Sequence, residues 1–233
     1  MLLFAAASVL CCAAPAASAA LTSPPPLEVF LAPGATADEA FAAGELAGWI
    51  GNATTGSPLQ VSAAPPPFGG SSGVTLAVGW DAATAVGMPP GSLDGLGNES
   101  FVVSSNTSGM AKGCIAVSGG KRARRGALYG AYHLLKAWGF RFYAPTETVV
   151  PKAAALMAVA ALPINTTYRP AMEFRSLESF ETNGGGDQAS NHAWSIRNHG
   201  SLCVGQIPGG KWPSESMQQE KMSLALPAAA SYL

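Results

Sequence analysis

With 233 residues, the chain has room for one full domain and part of a second. Its 13 Lys/Arg against 14 Asp/Glu leave a net charge of −1, which excludes a global electrostatic pull toward nucleic acid or an anionic membrane surface. Hydrophobic residues make up 48 %, enough for a sizeable core, but Ala, Gly and Pro carry much of that share, so composition alone assigns no helices.

Residues 1–19 read as a secretory signal peptide: an apolar run over 4–14, then the small-residue cleavage pattern Ala17-Ser18-Ala19. The run lacks a preceding Lys or Arg and is short for a bilayer span, so a retained anchor or a misplaced start are the alternatives. Secretion, with no membrane attachment after cleavage, is the expected outcome. Cys11 and Cys12 would leave with the peptide, and Cys114 and Cys203 would remain, either paired or as free buried thiols. Four glycosylation sequons begin at Asn52, Asn98, Asn106 and Asn165, all in segments that read as loops.

After the Pro-rich run 23–26 comes a strand at 27–31. A helix is expected from about Thr36 to Ile50, with Thr36 and Glu39 in capping-box spacing, Phe41, Leu46, Trp49 and Ile50 on its apolar side, and Gly51 as its stop. Residues 58–63 read as a strand, 64–73 as a loop, 74–80 as a strong strand and 81–98 as loop. Strands at 101–104 and 114–117 flank a turn. The element order is β-α-β-β-β-β-α-β.

Charge is uneven along the chain. Residues 1–120 hold one Lys/Arg and seven Asp/Glu; residues 121–233 hold twelve and seven. The cluster Lys121, Arg122, Arg124, Arg125 has the look of a phosphate or nuclear-import patch, but it also opens the next helix, and a solvated helix face is the simpler reading. In that helix Leu128, Ala131, Tyr132, Leu135 and Trp138 recur on one apolar side, with Arg125, Tyr129, His133 and Lys136 on the other. Gly139 stands where a helix end needs a left-handed residue. Phe140, Arg141 and Phe142 then alternate as a half-buried strand, ended by Pro145.

The ordered residues Gly126, Tyr129, Gly130, Gly139, Arg141, Tyr143, Ala144, Pro145, Val150 and Pro151 resemble the domain that precedes the catalytic barrel in α-glucuronidases (glycoside hydrolase family 67). They are also similar to the barrel-preceding domain of β-hexosaminidases and of a related uncharacterised hydrolase family. The resemblance implies an α/β (α+β) fold: a mixed sheet with two helices packed on it, as in the second domain of β-hexosaminidases, over 20–151. A linker at 152–167, with a weak strand at 160–164, would lead to the first strand and helix of an incomplete (β/α) barrel at 168–210, and an irregular tail at 211–233. Pro170 to Arg175 matches the first barrel strand, and Asn191–His199, with its signature Trp194, Arg197 and Asn198, the first barrel helix.

A glycoside hydrolase needs two carboxyl groups flanking the bond it breaks. The resemblance places these on later barrel strands, and no residue here matches them, so the chain is expected to be inactive alone. Glu173 and Glu178, five apart on one strand, point to opposite faces. Glu178 stands at the strand's C-terminal end and is the one catalytic candidate, against the simpler reading of a solvated loop carboxylate. Arg175 and Trp194 are the candidate substrate contacts. His192 and His199 lie seven apart on one helical side, without a third metal ligand, and read as a packed or solvent-facing surface. Ser195 and Ser201 lack a nucleophile-elbow context, and Trp80, Trp138, Trp194 and Trp212 could stack on sugars or fill a core. No cofactor or metal motif is present. The expected role is the non-catalytic N-terminal part of a secreted polysaccharide-degrading enzyme, with poly- or oligosaccharide as partner of the parent enzyme. The alternative is a secreted carbohydrate-binding or cell-surface module.

Overall fold

The computed structural model describes residues 26–65, 73–105, 107–121, 123, 125–171 and 194–199. Several expectations lie outside these residues: the signal peptide 1–19, Asn106, Arg122 and Arg124, the strand at 172–178 with Arg175 and Glu178, His192, Cys203, Trp212 and the tail.

In chain order the elements are β1 (Leu27–Leu31), α1 (Ala37–Thr54), β2 (Val61–Ser62), β3 (Val74–Val78), α2 (Trp80–Ala85), β4 (Phe101–Ser104), β5 (Cys114–Gly119), α3 (Gly126–Ala137), β6 (Arg141–Ala144), β7 (Glu147–Val149), α4 (Ala153–Ala160) and β8 (Asn165–Tyr168). The protein is of the α/β class, with a mostly parallel six-stranded sheet in the order β2-β1-β3-β5-β4-β8. Strands β2, β1, β3 and β5 run parallel; β4 pairs antiparallel with both β5 and β8. A parallel sheet must be covered on both faces, and strand alternation supplies two apolar sets. Val29, Leu76, Val78, Ile115 and Val117 meet α1 and α3. Phe30, Ala77, Val102, Cys114 and Ala116 meet α2 and the loop carrying Val86, Met88 and Leu93.

Helix α1 starts as its sequence predicts. The Thr36 Oγ1 accepts from the Glu39 N–H (3.3 Å), and the Glu39 carboxylate accepts from the Thr36 N–H (2.8 Å). Glu39 also accepts from the Trp80 N–H (2.7 Å), which ties the starts of α1 and α2 together. Gly51 does not stop the helix, which runs on to Thr54. Its missing Cβ instead lets the 57–59 backbone cross directly over the helix. Gly126 and Gly130 do the same for α3: a Cβ on Gly126 would collide with the Ser100 carbonyl and Gly119, and one on Gly130 would press on Val117 and Phe101.

The end of α3 is a Schellman turn. Gly139 adopts φ 100°, its N–H bonds the Lys136 carbonyl (3.1 Å), and the Phe140 N–H bonds the Leu135 carbonyl (3.0 Å). Arg141 then reaches back to the carbonyls of Lys136 (2.6 Å) and Phe140 (2.7 Å), a cation placed where the helix dipole is negative. The expected buried set Leu128, Tyr132, Leu135 and Trp138 is in the core, and Phe140 and Phe142 are buried on either side of an exposed Arg141.

Further expectations are corrected. Tyr129, assigned to the solvated side of α3, is fully buried, because α3 is packed between the sheet and other chain segments on most of its circumference. Residues 152–167 are not a linker with a strand at 160–164: they form α4 and most of β8, and β8 completes the main sheet beside β4. Strand β3 ends at Val78, and Trp80 opens α2, so 81–98 is not all loop, and with α2, β7, α4 and β8 the element order is longer than the expected β-α-β-β-β-β-α-β. Asn52 lies in α1 and Asn165 in β8 rather than in loops, although both are exposed.

Candidate functional site

Residues 194–199 pack against this body, and 194–197 form one helical turn. Two side-chain donors converge on one backbone carbonyl of β6: the Trp194 indole N–H (2.9 Å) and the Asn198 amide (3.0 Å) both bond the Phe142 oxygen, whose two lone pairs they fill. Ile196 is buried in the larger core beside them.

Beneath the turn lies a carboxylate inside the protein. Glu45, in the middle of α1, is 2 % exposed. Its Oε2 accepts from the Tyr132 hydroxyl (2.6 Å) on α3 and from the Trp49 indole (3.1 Å) one turn along α1. Arg197, 8 % exposed, brings its Nε to 3.8 Å from the same oxygen. Its guanidinium carbon stands 5.2 Å from the Trp49 ring centre and 5.7 Å from that of Phe142. Burial holds the Tyr132 hydroxyl protonated well above the ordinary phenol range; the Glu45 charge adds to this and Arg197 opposes it. Tyr132 therefore serves as a donor. Losing one partner of such a pair leaves an uncompensated charge inside, at a cost of about 3–5 kcal/mol.

His199 closes the turn in the left-handed position, φ 63°, that glycine usually takes; its N–H bonds the Ile196 carbonyl (2.9 Å). The backbone cost is about 1–2 kcal/mol for a residue with a Cβ. Its ring meets Phe101, Tyr129 and Tyr168, each at 5.7 Å between centres, and His133 at 6.3 Å. These neighbours come from β4, α3 and β8. Phe101 also stacks on Tyr168 at 5.1 Å. Burial first, and Lys136 second, push the pKa of His133 below its usual value.

The remaining candidates fall elsewhere. Trp194 is half-buried with its indole N–H spent on Phe142. Arg125 is not on a solvated face but pairs with the buried Glu99 at 3.4 Å, and Lys121 lies 4.8 Å over the ring of Trp80. Cys114 is a buried free thiol whose pKa burial raises, with Glu28 adding to the rise. Asn52, Asn98 and Asn165 are exposed. Among the described residues, no group of three or more His, Cys, Asp or Glu is arranged to hold a metal ion, and no helix is long and apolar enough to cross a membrane.

Sequence reasoning missed Glu45 and Trp49 as partners of Arg197. The signal was present: Glu45 is a charge set within a run of Ala42, Ala43, Leu46, Ala47 and Ile50, and Trp49 is four residues on, on the same helical side. Glu45 is buried, with Tyr132 and Trp49 as donors to its carboxylate and Arg197 beside it, and so ties α1, α3 and the 194–197 turn together. No protein-family model matches the chain, and no curated protein matches its sequence.

Proposed function

We propose that this chain is the non-catalytic N-terminal part of a secreted glycoside hydrolase of the α-glucuronidase kind, and that its α/β body braces the first helix of the catalytic domain. Poly- or oligosaccharide is the partner of the parent enzyme, whose acid/base pair belongs to the catalytic domain in this reading. The observation that supports this reading is the docking of 194–199: the run that resembles a first barrel helix is held on α1 and β6 by a buried ion pair and two bonds to one carbonyl, and on β4, α3 and β8 by an aromatic cluster. The Gly126, Gly130, Gly139 and Arg141 pattern that carries the family resemblance also has a structural task at each position.

The test is to sequence transcripts and genomic DNA downstream of codon 233. An in-frame continuation with further strand–helix repeats, whose product releases glucuronic acid from glucuronoxylan, is the expected result. A stop at that point in several independent transcripts would overturn it. The 233-residue chain alone should release no sugar from aryl-glucuronide, aryl-hexosaminide or xylan. Turnover that survives repurification and vanishes in Glu178→Gln would also overturn it.

A further inference from the structure

Resting on that docking, we propose that Glu45, Trp49, Tyr132 and Phe142 form a preformed pocket for the guanidinium of an arginine side chain, which Arg197 fills in this structure. The donors that orient the carboxylate lie outside the 194–199 turn. Both of its hydrogen-bond donors, Tyr132 at 2.6 Å and Trp49 at 3.1 Å, belong to the body of the protein and are neutral. They fix the orientation of the anion and leave its charge uncompensated, so the pocket demands a cation.

The walls select the kind of cation. The rings of Trp49 and Phe142 meet edge-on, 5.4 Å apart at 73°, and those of Tyr132 and Phe142 at 5.8 Å and 80°. Arg197 sits within reach of both the Trp49 and Phe142 rings. A planar, weakly hydrated guanidinium gains from such a corner; a compact ammonium loses more hydration on entering it. Three elements, α1, α3 and β6, hold the walls, and Trp49 is braced further against Phe140 at 6.2 Å. The Arg197 Nε stands 3.8 Å from the carboxylate and has no hydrogen-bond partner, so at that atom the attraction is one of charge rather than of a short bond; the guanidinium also interacts with the Tyr132 side chain. A guanidinium of other origin can take the same place once Arg197 is removed.

The experiment uses the full chain carrying Arg197→Ala, with ethylguanidinium and ethylammonium as millimolar probes. Two readouts serve: the thermal midpoint and the NMR signal of the Trp49 indole N–H. Ethylguanidinium should raise the midpoint saturably, recover about half of what the substitution cost, and move the Trp49 signal. It should do neither in wild type, where the pocket is filled, nor in the Glu45→Gln/Arg197→Ala double variant. An equal response to ethylammonium, or an equal response in the double variant, would overturn the proposal. Should Arg197→Ala fail to fold, Arg197→Lys keeps the charge and the stem: a midpoint below wild type is expected, and one equal to wild type removes the selectivity. These readouts need no sugar chemistry. A stop after codon 233 would undo the glycosidase reading and leave the pocket standing, and absence of rescue would do the reverse.

Discussion

Two helix ends in this molecule use the same left-handed backbone with different residues. Helix α3 ends on Gly139, which has no side chain and no conformational penalty. The turn at 194–197 ends on His199, which accepts backbone strain and puts its ring against Phe101, Tyr129 and Tyr168. The first end only redirects the chain into β6. The second is an attachment, and contacts beyond the turn hold it in place. A strained residue persists where its surroundings over-determine it, so the contrast separates a connection from a docking point without reference to any activity.

The largest expected effect comes from what lies under the second end. Glu45→Gln removes the anion beneath Arg197 and should lower stability by about 3 kcal/mol in urea unfolding. Faster hydrogen exchange at 194–199 than in β3 should accompany it. A loss below about 1 kcal/mol would mean that the ion pair does not hold the turn. Gly139→Ala forces a Cβ into φ 100° and should cost about 1–2 kcal/mol. Exchange at 194–199 should rise no more there than elsewhere, since the damage is at the connection.

His199 sharpens the contrast. His199→Ala loses the ring and keeps the strain, whereas His199→Gly loses the ring and relieves it, so the glycine variant should be the more stable by about 1 kcal/mol. Both should fall below wild type. A glycine variant as stable as wild type would show that the ring contacts contribute nothing. The smallest effect is electrostatic. Burial, and Lys136 after it, lower the pKa of His133, so the folded protein takes up a proton less readily than the unfolded chain, which accepts one near pH 6.5. Stability should be level above about pH 6.5 and decline as pH falls through 6.5 and on through the lowered folded pKa. His133→Gln should flatten that part of the profile, as read from thermal midpoints between about pH 5 and 7.

Elements with strong local punctuation are legible in the sequence itself. The capping box at Thr36 and Glu39, the β-rich run at 74–78 and the glycine at 139 each carry their instruction within a few residues. Helix α4 carries none: its eight residues AAALMAVA are apolar all round and no side chain caps them, so no periodicity marks a face. Strand β8, NTTY, is polar and short because it is an edge, and its identity comes from pairing with β4, which lies far back in the chain. The candidate site is half legible. Trp194, Arg197 and Asn198 stand out as a run, but their receptor joins Glu45 to Tyr132 across 87 residues, and nothing local announces a bond of that separation. Arg175, Glu178 and Cys203 lie outside the described residues, so the structure bears on none of them.

The position of β8 has a consequence for synthesis on the ribosome. The parallel strands β1, β3 and β5 are complete once Gly119 has emerged, and β4 can then pair on one side only. Its other edge waits for Asn165–Tyr168. At about 5–20 residues per second, that delay from the end of β4 is roughly 3–13 s. Throughout it the nascent chain presents Phe101, Val102 and Val103 along an open strand, the kind of edge that other chains and chaperones capture. Translation speed between codons 105 and 168 therefore sets how long the growing protein is exposed to its neighbours.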